Sequence, residues 1–194
     1  MVGAAPVPAG SDATDPAPTD SRVARTRRHV LAHARDLLTE RGPPALTYTE
    51  LAARARVTRQ TLYRHWPTRD DLLVDLILDR ALTTMPAACG SAQDIVHSFL
   101  RTLRDNIYDP TTAGPMTALI AQADHAPGSR AALATVAANI RDALNAVLEP
   151  TGVRVDADQY ARLCGPIFFS RLFTPELPTD HLINHLIDTW SPEH

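Results

Sequence analysis

Apolar residues recur along this chain at the three- and four-residue spacing of amphipathic helices, and no segment shows the two-residue alternation of a strand. The first helical segment, 21–41, places Val30, Ala34 and Leu37 on one face, and the Gly-Pro-Pro sequence that follows ends it. The pattern predicts an all-α fold of about nine helices. The later segments lie at about 91–108, 115–124, 129–149, 156–173 and 179–190.

Residues 47–66, TYTELAARARVTRQTLYRHW, predict two short helices joined by a tight turn. Thr47 followed by Glu50 has the form of a capping box at the start of the first helix. Thr58 is placed to cap the second helix, whose Leu62 and Trp66 lie on the side that faces the first. Two short helices in this arrangement are typical of proteins that insert the second helix into the DNA major groove.

The second of these helices also has a polar face. At about 100° per residue, Arg59, Gln60, Tyr63 and Arg64 fall within one arc of about 140°. Guanidinium groups bind phosphate or guanine, an amide pairs with adenine, and a phenol suits a phosphate oxygen. We therefore expect this face to contact DNA, and an ordinary solvent-exposed face is the alternative.

Charge is distributed unevenly along the chain, although the net charge is only −3. Residues 21–69 contain eleven Arg and three acidic residues, whereas residues 70–194 contain eight Arg and sixteen acidic residues. A basic N-terminal part on an acidic remainder is expected when only one end of a protein approaches the phosphate backbone. Because all nineteen basic residues are Arg and none is Lys, only their clustering supports this interpretation.

Residues 22–80 resemble the TetR family of transcriptional regulators. The resemblance is carried by the amphipathic first helix, by AxxARVTRQTLYRHW at 52–66 and by PTRDDLL at 67–73. It implies that the helix at 58–66 enters the major groove. It also implies base contacts by Arg59, Gln60 and Thr61, and phosphate contacts by Thr47, Thr58, Tyr63, His65 and Arg69. The polar face adds Arg64 to these candidates.

The chain departs from the resemblance at Arg56, where the family usually has a small residue, often Gly. If this turn position has a positive φ, an Arg is strained there. We expect either a tilted turn or an Arg56 side chain that itself reaches DNA.

Pattern and resemblance together divide the chain into four parts. We expect a tail at 1–20, a helix-turn-helix DNA-binding domain at 21–68, a connecting helix and loop at 69–90, and a helical ligand-binding and dimerisation domain at 91–194. The Pro-, Ala- and Asp-rich tail is predicted to be disordered. The connecting helix, which Thr68 and Asp71 are placed to cap, is expected to be the only lever between the DNA-binding domain and the rest.

We expect a homodimer that forms through the last two helices. A single helix-turn-helix reads about one half-site, whereas a twofold dimer reads two that lie about 34–36 Å apart. The last two helices carry more apolar residues than an exposed hairpin needs, which suits a four-helix interface. Ordinary packing within one chain is the alternative.

The resemblance further implies a small-molecule effector between the helices from 91 to 173. Gly165-Pro166 is predicted to kink its helix and open space beside Phe168 and Phe169. Sparse charge favours an apolar or weakly polar effector, but helical apolar spacing is also the signal of a plain core. The candidate wall residues are Phe99, Leu103, Met116, Leu119, Ile120, Leu133, Val136, Ile140, Phe168 and Phe169.

Other chemistries have weaker support. His181 and His185 lie four residues apart, a spacing that can bind zinc, but no third ligand accompanies them. Cys89 and Cys164 form no metal-binding spacing, and the sequence does not decide whether they form a disulfide. The sequence has no glycine-rich phosphate loop, nucleophile elbow or catalytic carboxylate pair, so we expect no cofactor, no metal and no enzymatic activity.

No apolar run approaches the roughly 18 residues of a membrane span, and residues 1–20 do not have the form of a signal peptide. We therefore expect a cytoplasmic homodimeric repressor without a membrane partner. It would bind a palindromic operator in double-stranded DNA through residues 58–66 and be released by a small apolar effector. An activator or a ligand-free regulator of the same fold is one alternative, and a helical binding module without DNA function is another.

Overall fold

The computed structural model of the protein describes residues 18–190, with their side chains from residue 22 onward. The predicted tail at 1–20 lies, up to residue 17, outside the described residues. Between residues 18 and 190 the chain forms nine α-helices, two short 3-10 turns and no strand, so the predicted all-α fold is confirmed. The helices are α1 (Pro18–Arg41), α2 (Tyr48–Ala55), α3 (Arg59–His65), α4 (Arg69–Thr83), α5 (Ala92–Tyr108), α6 (Pro110–Gln122), α7 (Pro127–Leu148), α8 (Ala157–Phe173) and α9 (Asp180–Thr189).

Side-chain caps determine where α2 and α4 begin. At α4 the Thr68 hydroxyl accepts a hydrogen bond from the Asp71 N–H, and the Asp71 carboxylate accepts one from the Thr68 N–H. At α2 the Thr47 hydroxyl accepts from the Glu50 N–H, but the Glu50 carboxylate pairs with Arg41 of α1 instead. The box predicted at Thr47 is therefore only half formed, and the helix still begins where the sequence predicts.

The first three helices pack around one apolar cluster. Leu51 and Ala55 of α2, Leu62 of α3 and Trp66 just after α3 are all buried in the core that these helices share with α1. The turn that ends α1 is formed by Gly42, whose φ of 72° is readily adopted by glycine. This packing leaves one side of α3 at the protein surface.

Helix α4 joins the first three helices to the rest of the chain. It packs mainly on α7 and α6, while α5 lies beside α6, α8 and α9. Helices α8 and α9 both pack on α5. Of the helices in the described range, none is sufficiently long and apolar to cross a membrane.

Helix α6 begins at Pro110, earlier than the predicted start near residue 115. The Asp109 carboxylate accepts a hydrogen bond from the Thr111 N–H, and Pro110 occupies the first turn, where a missing N–H is harmless. The helix then continues through Pro115. Proline commonly ends a helix, whereas Pro110 helps to start this one.

Helix α6 also touches the DNA-binding part of the chain, so the prediction that α4 is the only connection is wrong. It packs against α1 and against the 3-10 turn Pro43–Ala45. At the contact is Gly114, where a Cβ atom would lie 2.8 Å from Cγ of Pro43. A side chain at residue 114 would therefore keep the two elements apart.

Candidate nucleic-acid interface

The polar face predicted for α3 lies at the protein surface. Arg59, Gln60 and Arg64 are exposed, and Tyr63 exposes 54% of its surface. Thr58, which caps the helix by accepting from the Thr61 N–H, is exposed as well. Two other candidates, Thr61 and His65, are half-buried. The exposed side chains form a continuous polar surface, because the opposite side of α3 is anchored in the core.

The end of α3 is fixed by a polar contact with α4 and α1. The indole Nε1–H of Trp66 donates to Oδ2 of Asp75 at 2.5 Å. The guanidinium of Arg27 donates to both oxygens of the same carboxylate, with its Nε 2.6 Å from Oδ2. Arg27 therefore helps to hold the end of α3 in place through Asp75.

Tyr48 supports the interface and was missed in the sequence analysis. Its hydroxyl lies 2.6 Å from the carbonyl oxygen of Trp66 and 2.7 Å from that of Thr68, so it can donate to either. Burial, together with the charge of Asp71, raises the pKa of Tyr48 to about 12, which keeps the hydroxyl protonated. Its ring packs edge-to-face on Tyr63, with centroids 4.7 Å apart. Tyr48 therefore packs against the ring of Tyr63 and helps to orient this exposed candidate residue.

Three of the predicted phosphate contacts meet in one shallow depression. Thr47, Tyr63 and Arg69 line it together with Tyr48 and Thr49, at the N-terminal end of α2. The Arg69 guanidinium is half-buried, and one of its nitrogens lies 3.5 Å from the Pro43 carbonyl oxygen, at the limit of a hydrogen bond. Hydroxyls, a guanidinium and a helix N-terminus are the groups that bind a phosphate oxygen in DNA complexes.

The turn between α2 and α3 has the strained geometry anticipated from the sequence. Arg56 adopts φ 53° and ψ 43°, and it is the only residue other than glycine with a positive φ in the described part of the chain. Its N–H bonds back to the carbonyls of Ala52 and Ala53, which ends α2. Its side chain is exposed beside the start of α3.

Ion pairing divides ten of the eleven Arg residues between 21 and 69 into two groups, and the eleventh is the half-buried Arg69. Arg27, Arg35, Arg41 and Arg54 pair with carboxylates of neighbouring helices and are structural. The exposed Arg residues that form no ion pair within residues 22–190 are Arg22, Arg25, Arg28, Arg56, Arg59 and Arg64. Positive charge available to a phosphate backbone is therefore concentrated on α3, the turn before it and the start of α1.

A second feature of the molecule is an apolar cavity of about 260 Å³ between α4, α5, α6, α7 and α8. Eight of the ten predicted wall residues line it. Leu119 does not, because it is fully buried in the core, and Phe169 does not, because its side chain is 59% exposed. The lining residues are Ile77, Ala81, Met85, Phe99, Thr102, Leu103, Asn106, Ile107, Thr112, Met116, Ile120, Leu133, Val136, Ala137, Ile140, Tyr160, Phe168 and Leu172.

Few polar groups reach this cavity. The Asn106 side chain is held by α4, since its Oδ1 accepts from Arg80 Nε at 3.0 Å and its Nδ2 donates to Thr84 Oγ1 at 2.7 Å. Burial raises the pKa of Tyr160 and also that of the Cys164 thiol, the latter to about 12. The enclosed Thr112 hydroxyl has no hydrogen-bond partner among the described residues.

Exposed apolar side chains gather at the C-terminal end of α8 and just after it. Phe169 and Phe173 stack with centroids 5.0 Å apart, and Phe173 is 71% exposed. Leu172 and Leu177 are also exposed. We call these four residues the α8 patch. Singly exposed apolar residues are common on protein surfaces, but a cluster of four usually marks an interaction site.

The structure brings no zinc site to the two histidines of α9. His181 and His185 are both exposed, and among the described residues no group of three His, Cys, Asp or Glu side chains is close enough to hold a metal ion. Cys164 is buried and Cys89 is exposed, and both thiols are free. At the surface near the α6–α7 loop, Asp124 is paired to Arg130.

Comparison with known protein families identifies the N-terminal helices. Residues 30–76, from the middle of α1 to α4, match the family described as bacterial regulatory proteins, tetR family. Over these residues the chain is similar to the TetR family. The matched segment includes α3 with its exposed polar face, the strained turn at Arg56 and the depression beside Tyr63.

Curated relatives resemble the chain over about the same length. The chain is 36% identical over 73 residues to an HTH-type transcriptional regulator of Bacillus subtilis, YdeS, covering 37% of each protein. It is 39% identical over 72 residues to an HTH-type transcriptional repressor of Mycobacterium tuberculosis, covering 34% of this chain and 38% of the relative. The matches thus span little more than a third of the length of these relatives.

Several solved structures share the fold over most of the chain. A TetR regulator from Rhodococcus sp. RHA1 superposes with a TM-score of 0.63 at 21% identity, covering 85% of this chain and 95% of that one. The multidrug-binding protein EbrR, solved with ethidium, gives 0.57 at 20% identity over 84% and 96%. A regulator from Saccharomonospora viridis, solved with choline, gives 0.54 at 17% identity over 88% and 100%.

Proposed function

We propose that this protein is a homodimeric, cytoplasmic transcriptional repressor that binds a palindromic operator through α3 and leaves it when a small molecule occupies the cavity. The observation that carries the proposal is the exposed face of α3, where Arg59, Gln60, Tyr63 and Arg64 stand outward on a helix anchored by Leu62. Such a helix fits the major groove, where these side chains can reach base edges and phosphates.

Groups suited to phosphate binding near α3 support the same function. The depression that contains Thr47, Tyr63 and Arg69 lies on one side, and exposed Arg residues at the start of α1 lie in the same domain. In this arrangement Arg59, Gln60 and Thr61 would select the sequence. Thr47, Thr58, Tyr63, His65 and Arg69 would hold the phosphate backbone and set the register.

Dimerisation is proposed from the α8 patch. An operator-binding dimer must present two copies of α3 to successive major grooves about 34–36 Å apart. The exposed aromatic rings of α8 are a surface that a twofold axis could bury against its own copy. The last two helices would then form the four-helix interface.

Effector release is proposed from the position of the cavity. Residues of α4 and α6 line it, and both helices contact the DNA-binding helices. Structural neighbours hold small molecules, ethidium in one and choline in another. A ligand that fits only one arrangement of α4 and α6 would shift the population toward dimers whose two α3 helices no longer match the operator.

Selection of bound fragments from random DNA tests the proposal. We expect enrichment of a palindrome, with affinity that falls steeply as salt is added. Arg59→Ala should weaken binding to this palindrome by about 10- to 100-fold and relax the preference at one base pair of each half-site. Tyr63→Phe should weaken binding to all sequences by about fivefold, because it removes one phosphate hydrogen bond.

Arg130→Ala is the matched control, since Arg130 is an exposed Arg of α7 that pairs with Asp124 far along the chain from α3. Its operator affinity should equal that of the unaltered protein. The absence of any enriched sequence, or unchanged anisotropy titrations for both Arg59→Ala and Tyr63→Phe, would remove α3 from the DNA surface.

A further inference from the structure

The cavity has a composition that restricts what it can bind. No charged residue is among its lining side chains, and fourteen of the eighteen are apolar. Burying an ion without a counter-charge is strongly unfavourable, so a charged ligand would find no compensation there. A cavity of about 150 Å³ holds benzene, so one of about 260 Å³ holds on the order of ten non-hydrogen atoms.

Aromatic rings do not supply the missing counter-charge. A quaternary ammonium group binds between ring faces that are open to it. Phe99 and Tyr160 line the cavity, but their centroids are 6.3 Å apart, which is the spacing of two rings in contact with each other. These two rings therefore leave no gap in which a cation would lie between them. With no carboxylate in the wall, the cavity offers no counter-charge to a cation such as ethidium or choline, with which two structural neighbours were solved.

The Thr112 hydroxyl adds a specific requirement. Thr112 lines the cavity and is only 3% exposed, and its hydroxyl is enclosed without a partner among the described residues. The side chain of Asn106 already bonds Arg80 and Thr84. A helical Thr has two accessible χ1 rotamers, so the hydroxyl of Thr112 can turn toward a ligand. An enclosed hydroxyl without a partner is unfavourable, and a ligand that bonds it gains affinity.

From these observations we infer that the cavity binds a small uncharged molecule of about ten non-hydrogen atoms, with an apolar body and one hydroxyl-type group that bonds the Thr112 side chain. The inference rests on the proposed function only in making this molecule the effector. Its chemistry, neutral and mostly apolar with one anchored polar end, follows from the wall of the cavity.

Three probes of nearly equal shape test each part of the inference by calorimetry on the full chain. 3-tert-Butylphenol is neutral and carries a hydroxyl, tert-butylbenzene lacks the hydroxyl, and (3-hydroxyphenyl)trimethylammonium replaces the central carbon by a cationic nitrogen. We expect the phenol to bind about fivefold more tightly than tert-butylbenzene, because of one hydrogen bond. The cation should bind at least about 100-fold more weakly than the phenol.

Variants of the cavity wall test which protein hydroxyl bonds the phenol. Thr112→Val should abolish the preference for the phenol over tert-butylbenzene while leaving the affinity for tert-butylbenzene unchanged, and Thr112→Ser should retain the preference. Thr102→Val is the matched control, because Thr102 lines the same cavity on α5. A preference that survives Thr112→Val, or disappears in Thr102→Val, would overturn the assignment of the anchor. Binding of the cation as tight as that of the phenol would overturn the neutral class.

Operator binding measured on the same samples separates the inference from the proposed function. If none of the three probes binds and the protein still binds its operator, the inference is overturned and the proposed function is not. Discrimination among the probes by a protein that selects no DNA sequence would support the ligand class and overturn the regulatory function.

Discussion

At Arg56 the backbone is held in the left-handed region, where a Cβ atom crowds the following carbonyl. The geometry is set by the turn itself, because the Arg56 N–H must bond the carbonyls that end α2 while the chain reverses toward Thr58. An Arg therefore occupies a position that a glycine would fill without strain. Its exposed guanidinium lies beside the polar face of α3, which gives a physical reason for retaining the charge.

Replacing Arg56 by Gly should stabilise the fold and weaken DNA binding. The left-handed geometry costs an ordinary residue about 1–2 kcal/mol, and the extra freedom of an unfolded glycine offsets about 0.5–1 kcal/mol of this. Arg56→Gly should thus raise the free energy of unfolding in urea by about 0.5–1 kcal/mol. Arg56→Ala is the control, since it removes the charge and keeps the strain. Equal stabilisation by Ala would show that charge rather than φ is the cause.

The exposure of individual interface residues could be predicted from the sequence where it follows from helical periodicity. The exposed and buried sides of α3 follow from the spacing of Arg59, Gln60 and Tyr63 against Leu62. Tyr48 was not predictable, because its hydroxyl bonds carbonyls at residues 66 and 68 that come near only when α2, α3 and α4 pack. A lone tyrosine at the start of a helix carries no sign of that contact in the sequence.

Two helices connect the cavity with the DNA-binding part of the molecule. Helix α4 begins beside α7, where Ser129 donates to Asp70 at 2.6 Å, and ends in the contact of Arg80 with Asn106 at the cavity wall. Helix α6 carries Thr112 at the cavity and Gly114 against Pro43, only two residues apart. The sequence indicated the first connection and not the second, since the predicted helix began near residue 115 and left Gly114 outside it.

The contact between α6 and Pro43 should therefore control operator affinity. In Gly114→Ala the added Cβ would lie 2.8 Å from a proline ring that cannot rotate away, so α6 and the turn before α2 must separate. We expect operator affinity to fall about tenfold, the effect of an overpacking cost of about 1–3 kcal/mol carried partly by this contact. Anisotropy titration of labelled operator measures it.

Gly128→Ala is the control for this substitution. It introduces the same methyl group on α7, where the nearest atom, Oδ2 of Asp70, would lie at an ordinary 3.9 Å. The control should keep the affinity of the unaltered protein. If Gly114→Ala also kept it while remaining folded by circular dichroism, α6 would have no part in transmitting the state of the cavity to α3.

On the scale of the whole molecule, the sequence predicted the fold class and the order of helices but not which sides of α8 face inward. Ile167, Phe168 and Phe169 are consecutive apolar residues, so periodicity alone does not orient them. In the structure Ile167 is buried, Phe168 lines the cavity, and Phe169 joins the exposed α8 patch. Helix α8 thus lines the cavity with one side and lies at the outer surface with another. This connects ligand binding to the proposed dimer interface.

The α8 patch gives the last prediction. In the proposed twofold dimer Phe169 approaches its own copy, so Phe169→Glu would place two like charges together and remove the aromatic contact there. Because Phe169 is 59% exposed and Glu is a good helix former, the single chain should fold as before. We expect sedimentation velocity to show a monomer at micromolar concentration.

Loss of the dimer should then appear in DNA binding. A monomer engages one half-site, so affinity for the full palindrome should fall at least about 100-fold, toward the unchanged affinity for an isolated half-site. Leu82→Glu is the matched control, since Leu82 is a 45% exposed apolar residue of α4 outside the patch. A Phe169→Glu protein that remains dimeric would place the interface elsewhere. A monomer that binds the full palindrome as tightly as before would show that the two α3 helices do not act together.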